Sequence, residues 1–416
     1  MDWSNLFLIF VANYKKTSFS IPEKPMGIPG ENKLNIAYVI EHLVLKGGTE
    51  RIFTDKMNYM VTQFGYTVSV ITVTQRKGQP NAFSLNEAVR QYDLSVPLYR
   101  QYHYRYPLRL FVKWALNAKI RRELKRAIKT IAPDILIGTG HFAADVVCKI
   151  PCQAKRIVES HFVRSFTLSE SGLHHDKVTA LWHKMFRWRY LRTIERHADV
   201  VVSLTEGDKQ EWSKAKRVEV IPNFTMMPIE AFSNAQIKRV IAVGRLEVDK
   251  GYDRLVQIWG RVSERFPDWQ LDVIGEGGLR EELSELIKQA GLESSMTLCG
   301  TTDNIDREYA WSSVLVMTSI SESFALVLLE ALSHGVSCVA FDCPYGPASI
   351  IEDGRNGFLV EDGNIREFAN KLSLLLRDEE LRKKFSVAAL ERAMHFDVDV
   401  IMERWRRLFL NLLEKE

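Results

Sequence analysis

No apolar run in the 416 residues approaches the ~20 that a membrane-spanning helix needs, which excludes a polytopic membrane protein. Charge of one sign is not in excess: 56 basic against 52 acidic residues leave a formal +4, too little to imply a nucleic-acid partner. Cysteine is scarce and odd in number, five in all, and none stands with histidine at zinc-ligand spacing. A disulfide scaffold and a zinc site are therefore excluded, and a reducing compartment fits. With 46% hydrophobic and 26% charged residues the chain is neither disordered nor collagen-like, and at roughly 150 residues per domain it has room for two or three domains. The stretch Leu6–Ala12 is short, follows no basic segment and precedes no small-residue cleavage signal, so it does not read as a secretory signal. Residues 1–32 read as an extension: a membrane-touching tail, or sequence ahead of a true start at Met26.

From residue 33 onward, short β-branched runs alternate with longer amphipathic stretches, the pattern of a parallel sheet covered by helices. Strands are expected at Asn35–Ile40, Thr67–Val73, Asp134–Gly138, Arg156–Glu159, Asp199–Leu204 and Val218–Ile221. A second series begins afresh with Arg239–Gly244, Gln270–Gly275, Met296–Gly300, Ser313–Thr318, Ser337–Asp342 and Gly357–Glu361. Each series opens with a strand, a glycine turn and a helix, at Gly47-Gly48-Thr49 and at Lys250-Gly251. This predicts an α/β chain of two doubly wound, Rossmann-like domains across a cleft. The first would span 33–226 and the second 239–394, joined by a polar linker, 227–238, and followed by a terminal helix in 395–416. On that helix Ile401, Trp405, Leu408 and Leu412 form one apolar stripe, which would return to the first domain.

Between Tyr99 and Thr130 ten Lys/Arg stand against one acid, Glu123, with Tyr99, Tyr102, Tyr104, Tyr106, Phe111 and Trp114 interleaved. Such a segment suits an anionic membrane surface, with cations at the headgroups and rings at the interface. The competing reading is a solvated helix face whose aromatics fill the core.

In Gly244-Arg245-Leu246-Glu247-Val248-Asp249-Lys250-Gly251 two cations five residues apart follow a strand, at the edge where open α/β sheets bind ligands. Arg245 can fork onto phosphate oxygens and Lys250 can add a point charge, a pair suited to a diphosphate; alone, they would read as surface residues. In Ser321-Glu322-Ser323-Phe324-Ala325-Leu326-Val327-Leu328-Leu329-Glu330-Ala331 a helix start offers backbone N–H groups from Phe324 to Val327 to a phosphate or sugar oxygen. Glu330, about two turns beyond Glu322, sits among apolar residues, where a carboxylate needs a partner such as ribose hydroxyls. The competing readings are an exposed helix position for Glu330 and helix-dipole complementation for Glu322.

These runs, with Ile274–Gly278 (IGEGG) and Glu352–Val360 (EDGRNGFLV), resemble the carboxyl-terminal domain of family 4 glycosyltransferases of the GT-B fold. A looser likeness runs from about Leu34 to Leu390 and includes Gly47-Gly48 and Ile221-Pro222-Asn223. The resemblance implies a retaining hexosyltransferase that uses a nucleotide-diphosphate sugar, UDP-linked by expectation, and no cofactor or metal. It implies that Arg245 and Lys250 neutralise the leaving diphosphate, Glu330 holds the ribose, and Glu322 contacts the donor sugar. Gly244, backbone at Phe324, Ala325 and Leu326, and Gly300-Thr301 beside the base would complete the donor site. On the other domain Gly47 and Gly48 would admit the donor phosphates and His161 would be the active-site histidine, with His141 as rival. The acceptor would be a glycan or lipid-linked glycan, and Phe341-Asp342-Cys343-Pro344-Tyr345-Gly346-Pro347 is similar to bacterial members that build surface polysaccharide or lipopolysaccharide. The place implied is the cytoplasm, peripheral at the inner face of the membrane. Two departures stand out: many relatives have glycine at Ala325 and proline at Phe224.

Leaving-group charge is the main problem in breaking a bond to a nucleotide, and side-chain cations can meet it without an Asp-x-Asp metal site. Asp397-Val398-Asp399, before the terminal helix, reads as a cap. No carboxylate of the first domain stands out as a covalent nucleophile. A nucleotide-sugar epimerase on the same plan and a non-catalytic nucleotide-sugar binder are the alternatives. A dinucleotide oxidoreductase is disfavoured, since neither opening strand leads into Gly-x-Gly-x-x-Gly.

Overall fold

A computed structural model describes residues 33–105, 108–161, 177–225 and 231–414. The extension 1–32, Tyr106 and the first part of the expected linker lie outside the described residues. Two compact units emerge: the described residues up to Ile221 together with those from Met402 onward, and Pro222–Ile401.

The first unit is a seven-stranded parallel sheet in the order β3-β2-β1-β4-β5-β6-β7. Its strands are β1 (Asn35–Ile40), β2 (Thr67–Thr72), β3 (Arg90–Asp93), β4 (Ile135–Thr139), β5 (Lys155–Ser160), β6 (Val200–Ser203) and β7 (Val218–Val220). Its helices include α1 (Gly48–Thr62), α2 (Leu108–Ile131), α3 (Gly140–Lys149), α4 (Lys177–His197) and α5 (Glu206–Glu211). The second unit is a six-stranded parallel sheet, β10-β9-β8-β11-β12-β13. It uses β8 (Arg239–Val243), β9 (Gln270–Ile274), β10 (Met296–Gly300), β11 (Val314–Met317), β12 (Ser337–Asp342) and β13 (Gly357–Glu361). Around it lie α6 (Tyr252–Val262), α7 (Arg280–Gln289), α8 (Ile305–Ala310), α9 (Leu326–Ser333), α10 (Pro347–Ile350), α11 (Ile365–Arg377) and α12 (Glu379–Ala393).

Continuous apolar runs such as Val200–Val202 make strands covered on both faces, which is why these sheets are parallel and central. Every strand expected from the sequence is present, with ends shifted by at most one residue. The addition is β3, whose Arg-Gln-Tyr-Asp sequence carries no apolar run because it is an edge strand. In both sheets the strand order reverses after the first strand, between β1 and β4 and between β8 and β11. Loops leaving these strands at their carboxyl ends are where a doubly wound sheet takes a ligand.

The terminal helix α13 (Val398–Leu413) starts where the Asp397 carboxylate accepts from the Asp399 N–H at 2.8 Å, the cap expected there. Its stripe of Ile401, Trp405, Leu408 and Leu412 is buried. The helix packs on the first unit: Arg404 donates to the Val220 carbonyl, and the Trp405 ring lies 4.2 Å from the Lys56 ammonium. Among the described residues no helix is long and apolar enough to cross a membrane.

Candidate active site

In the second unit the chain leaves β8 through Gly244 and Arg245, makes a 3-10 turn over Val248–Lys250 and enters α6 through Gly251. Gly251 is left-handed, with φ 62°, and a Cβ there would lie 2.3 Å from the Thr318 carbonyl oxygen. Only glycine lets this turn lie against the end of β11. The Thr318 hydroxyl donates to the Lys250 carbonyl at 3.1 Å and the Ile320 N–H to the Asp249 carbonyl at 2.8 Å. The loops after β8 and β11, distant in sequence, are thereby joined at the point where strand order reverses.

That joint brings Lys250 and Glu322 together. The ammonium lies 2.7 Å from Glu322 Oε1, and the Ser319 hydroxyl donates to the same oxygen at 2.8 Å. Arg245 reaches the cluster through Asp249, whose carboxylate is 3.8 Å from the guanidinium and 3.9 Å from the Lys250 ammonium. The Arg245 side chain is 71% exposed, so most of its donors face solvent. Glu322 precedes α9 and is held by backbone, its N–H donating to the Pro344 carbonyl and its carbonyl accepting from Tyr345 and Gly346. It does not stand in the helix's first turn, so helix-dipole complementation does not explain it.

Ala325 caps α9 with left-handed backbone, φ 65° and ψ 62°, a conformation that costs a non-glycine residue roughly 1–2 kcal/mol. Glycine, the residue that the resemblance implies here, is the one this backbone favours. Phe324 is buried against Phe396, with ring centroids 5.8 Å apart, and Leu326 opens the helix. Glu330 lies apart from the cation pair in sequence and partner: half-buried, it accepts from the Tyr309 hydroxyl at 2.8 Å, so it is not a simply exposed helix position. Gly300 ends β10 with φ 75°, and its carbonyl accepts from the Gly275 N–H at 2.8 Å; Thr301 follows, exposed.

In the first unit, Gly47 is the extended N-cap of α1 and Gly48 its first residue. His161 directly follows β5 and is nearly buried, edge-on to the Phe53 ring at 4.7 Å. Its Nε2 lies 3.0 Å from Glu159 Oε2, and the Lys56 ammonium lies 2.5 Å from the same oxygen. Glu159 is 0% exposed and Lys56 2%. Burial alone would raise the Glu159 carboxyl, but Lys56 and His161 outweigh it and hold the group below its ordinary range. Burial lowers both His161 and Lys56, each partly offset by Glu159. His161 is thus a largely neutral imidazole, anchored on one side by a carboxylate. The rival His141 falls in the first turn of α3, and its side chain lies outside the described residues.

Sequence reasoning missed Ser319, Tyr309 and the Lys56–Glu159 pair. Lys56 alone left a usable signal: it falls four residues after Ile52 and four before Met60, on the buried stripe of α1. Among the described residues no group of three or more His, Cys, Asp or Glu side chains is placed to hold a metal ion.

Comparison with known proteins bears on both units. Residues 46–225 match the model described as Glycosyltransferase Family 4, and residues 227–392 the model described as glycosyl transferases group 1. The amylovoran biosynthesis glycosyltransferase AmsD of Erwinia amylovora is 35% identical over 381 residues, covering 88% of this chain and 97% of that protein. An uncharacterized glycosyltransferase of Haemophilus influenzae is 27% identical, covering 89% of this chain and 98% of its own length. Among solved structures, sucrose-phosphate synthase from Thermosynechococcus elongatus superposes with a TM-score of 0.75 at 19% identity, over 92% of this chain and 99% of that one. HepE from Anabaena, in complex with UDP-glucose, gives 0.68 at 18% identity, over 92% of this chain and all of its own. At such identities these two structures speak for the fold, two Rossmann-like domains of the GT-B type.

Proposed function

We propose, for a chain that belongs to the family 4 glycosyltransferases, that it moves a hexose from a UDP-linked donor to a glycan or lipid-linked glycan, with retention and without a metal ion. It is a transferase; the donor, acceptor and stereochemistry are the proposal. The observation that carries it is the Lys250–Glu322 contact of 2.7 Å beside an exposed Arg245 at the strand-order reversal of the second unit.

In the reaction the bond between the sugar's C1 and the β-phosphate oxygen breaks, and its electron pair stays on the diphosphate. Two fixed cations stabilise that charge more in the transition state than in the bound donor, which is what accelerates the step. Lys250 then exchanges part of its contact with Glu322 for phosphate, and the freed carboxylate oxygen accepts from a sugar hydroxyl. The acceptor oxygen attacks C1 from the face the diphosphate leaves, and its proton passes to a donor phosphate oxygen. Glu330 holds the ribose, and His161, largely neutral, donates or accepts one hydrogen bond at the sugar without adding a competing cation.

The names of the relatives support a place in polysaccharide synthesis: AmsD acts in amylovoran biosynthesis, and a poly(ribitol-phosphate) α-N-acetylglucosaminyltransferase of Staphylococcus aureus is 28% identical over 215 residues. Residues 99–130 would hold the protein at the inner face of the membrane. In that segment Phe111 and Trp114 are 68% and 73% exposed, which favours the surface reading over the core one.

The test is turnover of a panel of nucleotide sugars by the full chain, with products followed by NMR. At least one UDP-sugar is expected to be hydrolysed or transferred in excess EDTA, with the α configuration kept in the product. Complete loss in EDTA restored by magnesium would overturn the metal-free mechanism, and an inverted anomer would overturn retention.

A further inference from the structure

The first unit carries a second feature that glycosyl transfer does not use. Helix α3 has 10 residues, whereas α2 has 24 and α4 has 21. Apolar clusters join α3 to α2 on one side and to α4 on the other. All three helices line a groove of about 690 Å3. Its lining is cationic: Lys113 from α2, Lys149 from α3, and Arg189, Arg192 and Arg196 from α4. The carboxylate in the lining, Asp145, is engaged by Lys149 at 2.6 Å. Lys113, Arg189 and Arg196 have no carboxylate partner among the described residues and are exposed. The Arg192 guanidinium stacks 4.3 Å from the ring of half-exposed Trp188, at the groove wall.

The apolar groups beside this groove point the wrong way for a water-facing helix. The buried positions of α2 begin only at Ile120, and its first half turns Leu110, Phe111 and Trp114 to solvent. At about 100° per residue these three fall within an arc of about 100°, and Lys113 and Asn117 lie next to that arc on the groove side. Five cations around a concave groove, bordered by an exposed apolar ridge, match a layer whose phosphates lie just outside its hydrocarbon.

We propose that this face of the first unit docks on an anionic bilayer, with a lipid headgroup phosphate entering the groove and Leu110, Phe111 and Trp114 entering the acyl boundary. The inference rests on the membrane reading of residues 99–130 and adds to it α4 and a defined phosphate subsite. Lys113, Arg189 and Arg196 supply uncompensated charge, and the Arg192–Trp188 stack presents a planar donor fork at the wall.

The test is sedimentation of the full chain with vesicles of phosphatidylcholine alone or mixed with phosphatidylglycerol, alongside nucleotide-sugar turnover without vesicles. Wild type is expected to partition onto the anionic vesicles only. Arg189→Glu with Arg196→Glu should weaken that partition at least about 25-fold, at about fivefold per cation removed. Phe111→Ser with Trp114→Ser should weaken it as well, and both double variants should keep wild-type turnover, since their side chains are exposed and lie outside the donor site. Wild-type partition by the arginine variant would overturn the phosphate subsite, even if the aromatic variant fails to bind. Release by an equal concentration of inorganic phosphate would identify the groove as a site for free phosphate and overturn its assignment to lipid. No turnover by the wild type would count against the transfer assignment, whereas wild-type turnover with unchanged partition in both variants would count against the groove alone.

Discussion

Lys250→Ala lowers the rate of sugar transfer about 10²–10³-fold, the usual effect of removing one preorganised charge from a developing anion, while the chain stays folded. Lys250 is part-buried, but its removal does not orphan Glu322, because the Ser319 hydroxyl still donates to the same oxygen at 2.8 Å. The loop is held independently by the Thr318 and Ile320 hydrogen bonds to the backbone of Lys250 and Asp249. Near-ultraviolet circular dichroism should therefore match wild type, and the loss should fall mainly on kcat. Lys250→Arg keeps the charge but replaces a compact ammonium with a wider fork, and it should recover part of the rate. An alanine variant with wild-type kcat would remove Lys250 from the chemistry.

Lys56→Met has its large effect on stability. Breaking one side of a buried ion pair costs about 3–5 kcal/mol, because the other charge is left uncompensated. Here the orphan would be Glu159, fully buried, with His161 at 3.0 Å and the neighbouring Tyr38 hydroxyl left beside it. Urea unfolding should report that loss for Lys56→Met. Lys56→Met combined with Glu159→Leu should regain most of it, since no unpaired charge then remains. The pH dependence has a fixed sign. Glu159, His161 and Lys56 are all depressed from their ordinary values of 4.5, 6.5 and 10.5, so the unfolded chain binds protons that the folded one refuses. Stability therefore falls as pH falls: through the lysine from below 10.5, through the histidine from below 6.5, and through the carboxylate from below 4.5. A Lys56→Met variant within about 1 kcal/mol of wild type would show that the pair is not the anchor of this interior.

The second prediction concerns residues that the sequence concealed, and the reason is physical. Strands such as β6, Val-Val-Val-Ser, declare themselves because apolar runs of that length go into sheets. The Arg245–Lys250 loop and Glu322 are legible because each lies in the loop that follows such a strand. By contrast, the Lys56–Glu159 contact joins positions 103 apart, through a helix and a strand that each look ordinary alone. The apolar stripe of α13 was readable, but that Trp405 lies over a lysine was not. The groove between α2 and α4 is hidden for the same reason: Lys113 and Arg189 become neighbours only because the intervening α3 is short. Ala325 lies between these cases. An alanine gives no sign of left-handed backbone, yet α9 needs one at this position.

The account depends on a diphosphate being held by Arg245 and Lys250 in the second unit, and calorimetric titration of the full chain with UDP and with uridine tests this most directly. UDP should bind about 10–100-fold more tightly than uridine, the worth of one or two charge-assisted contacts, and the gap should close when Arg245 and Lys250 are both replaced by alanine. Equal affinities in the wild type, or a gap that survives the double replacement, would contradict it.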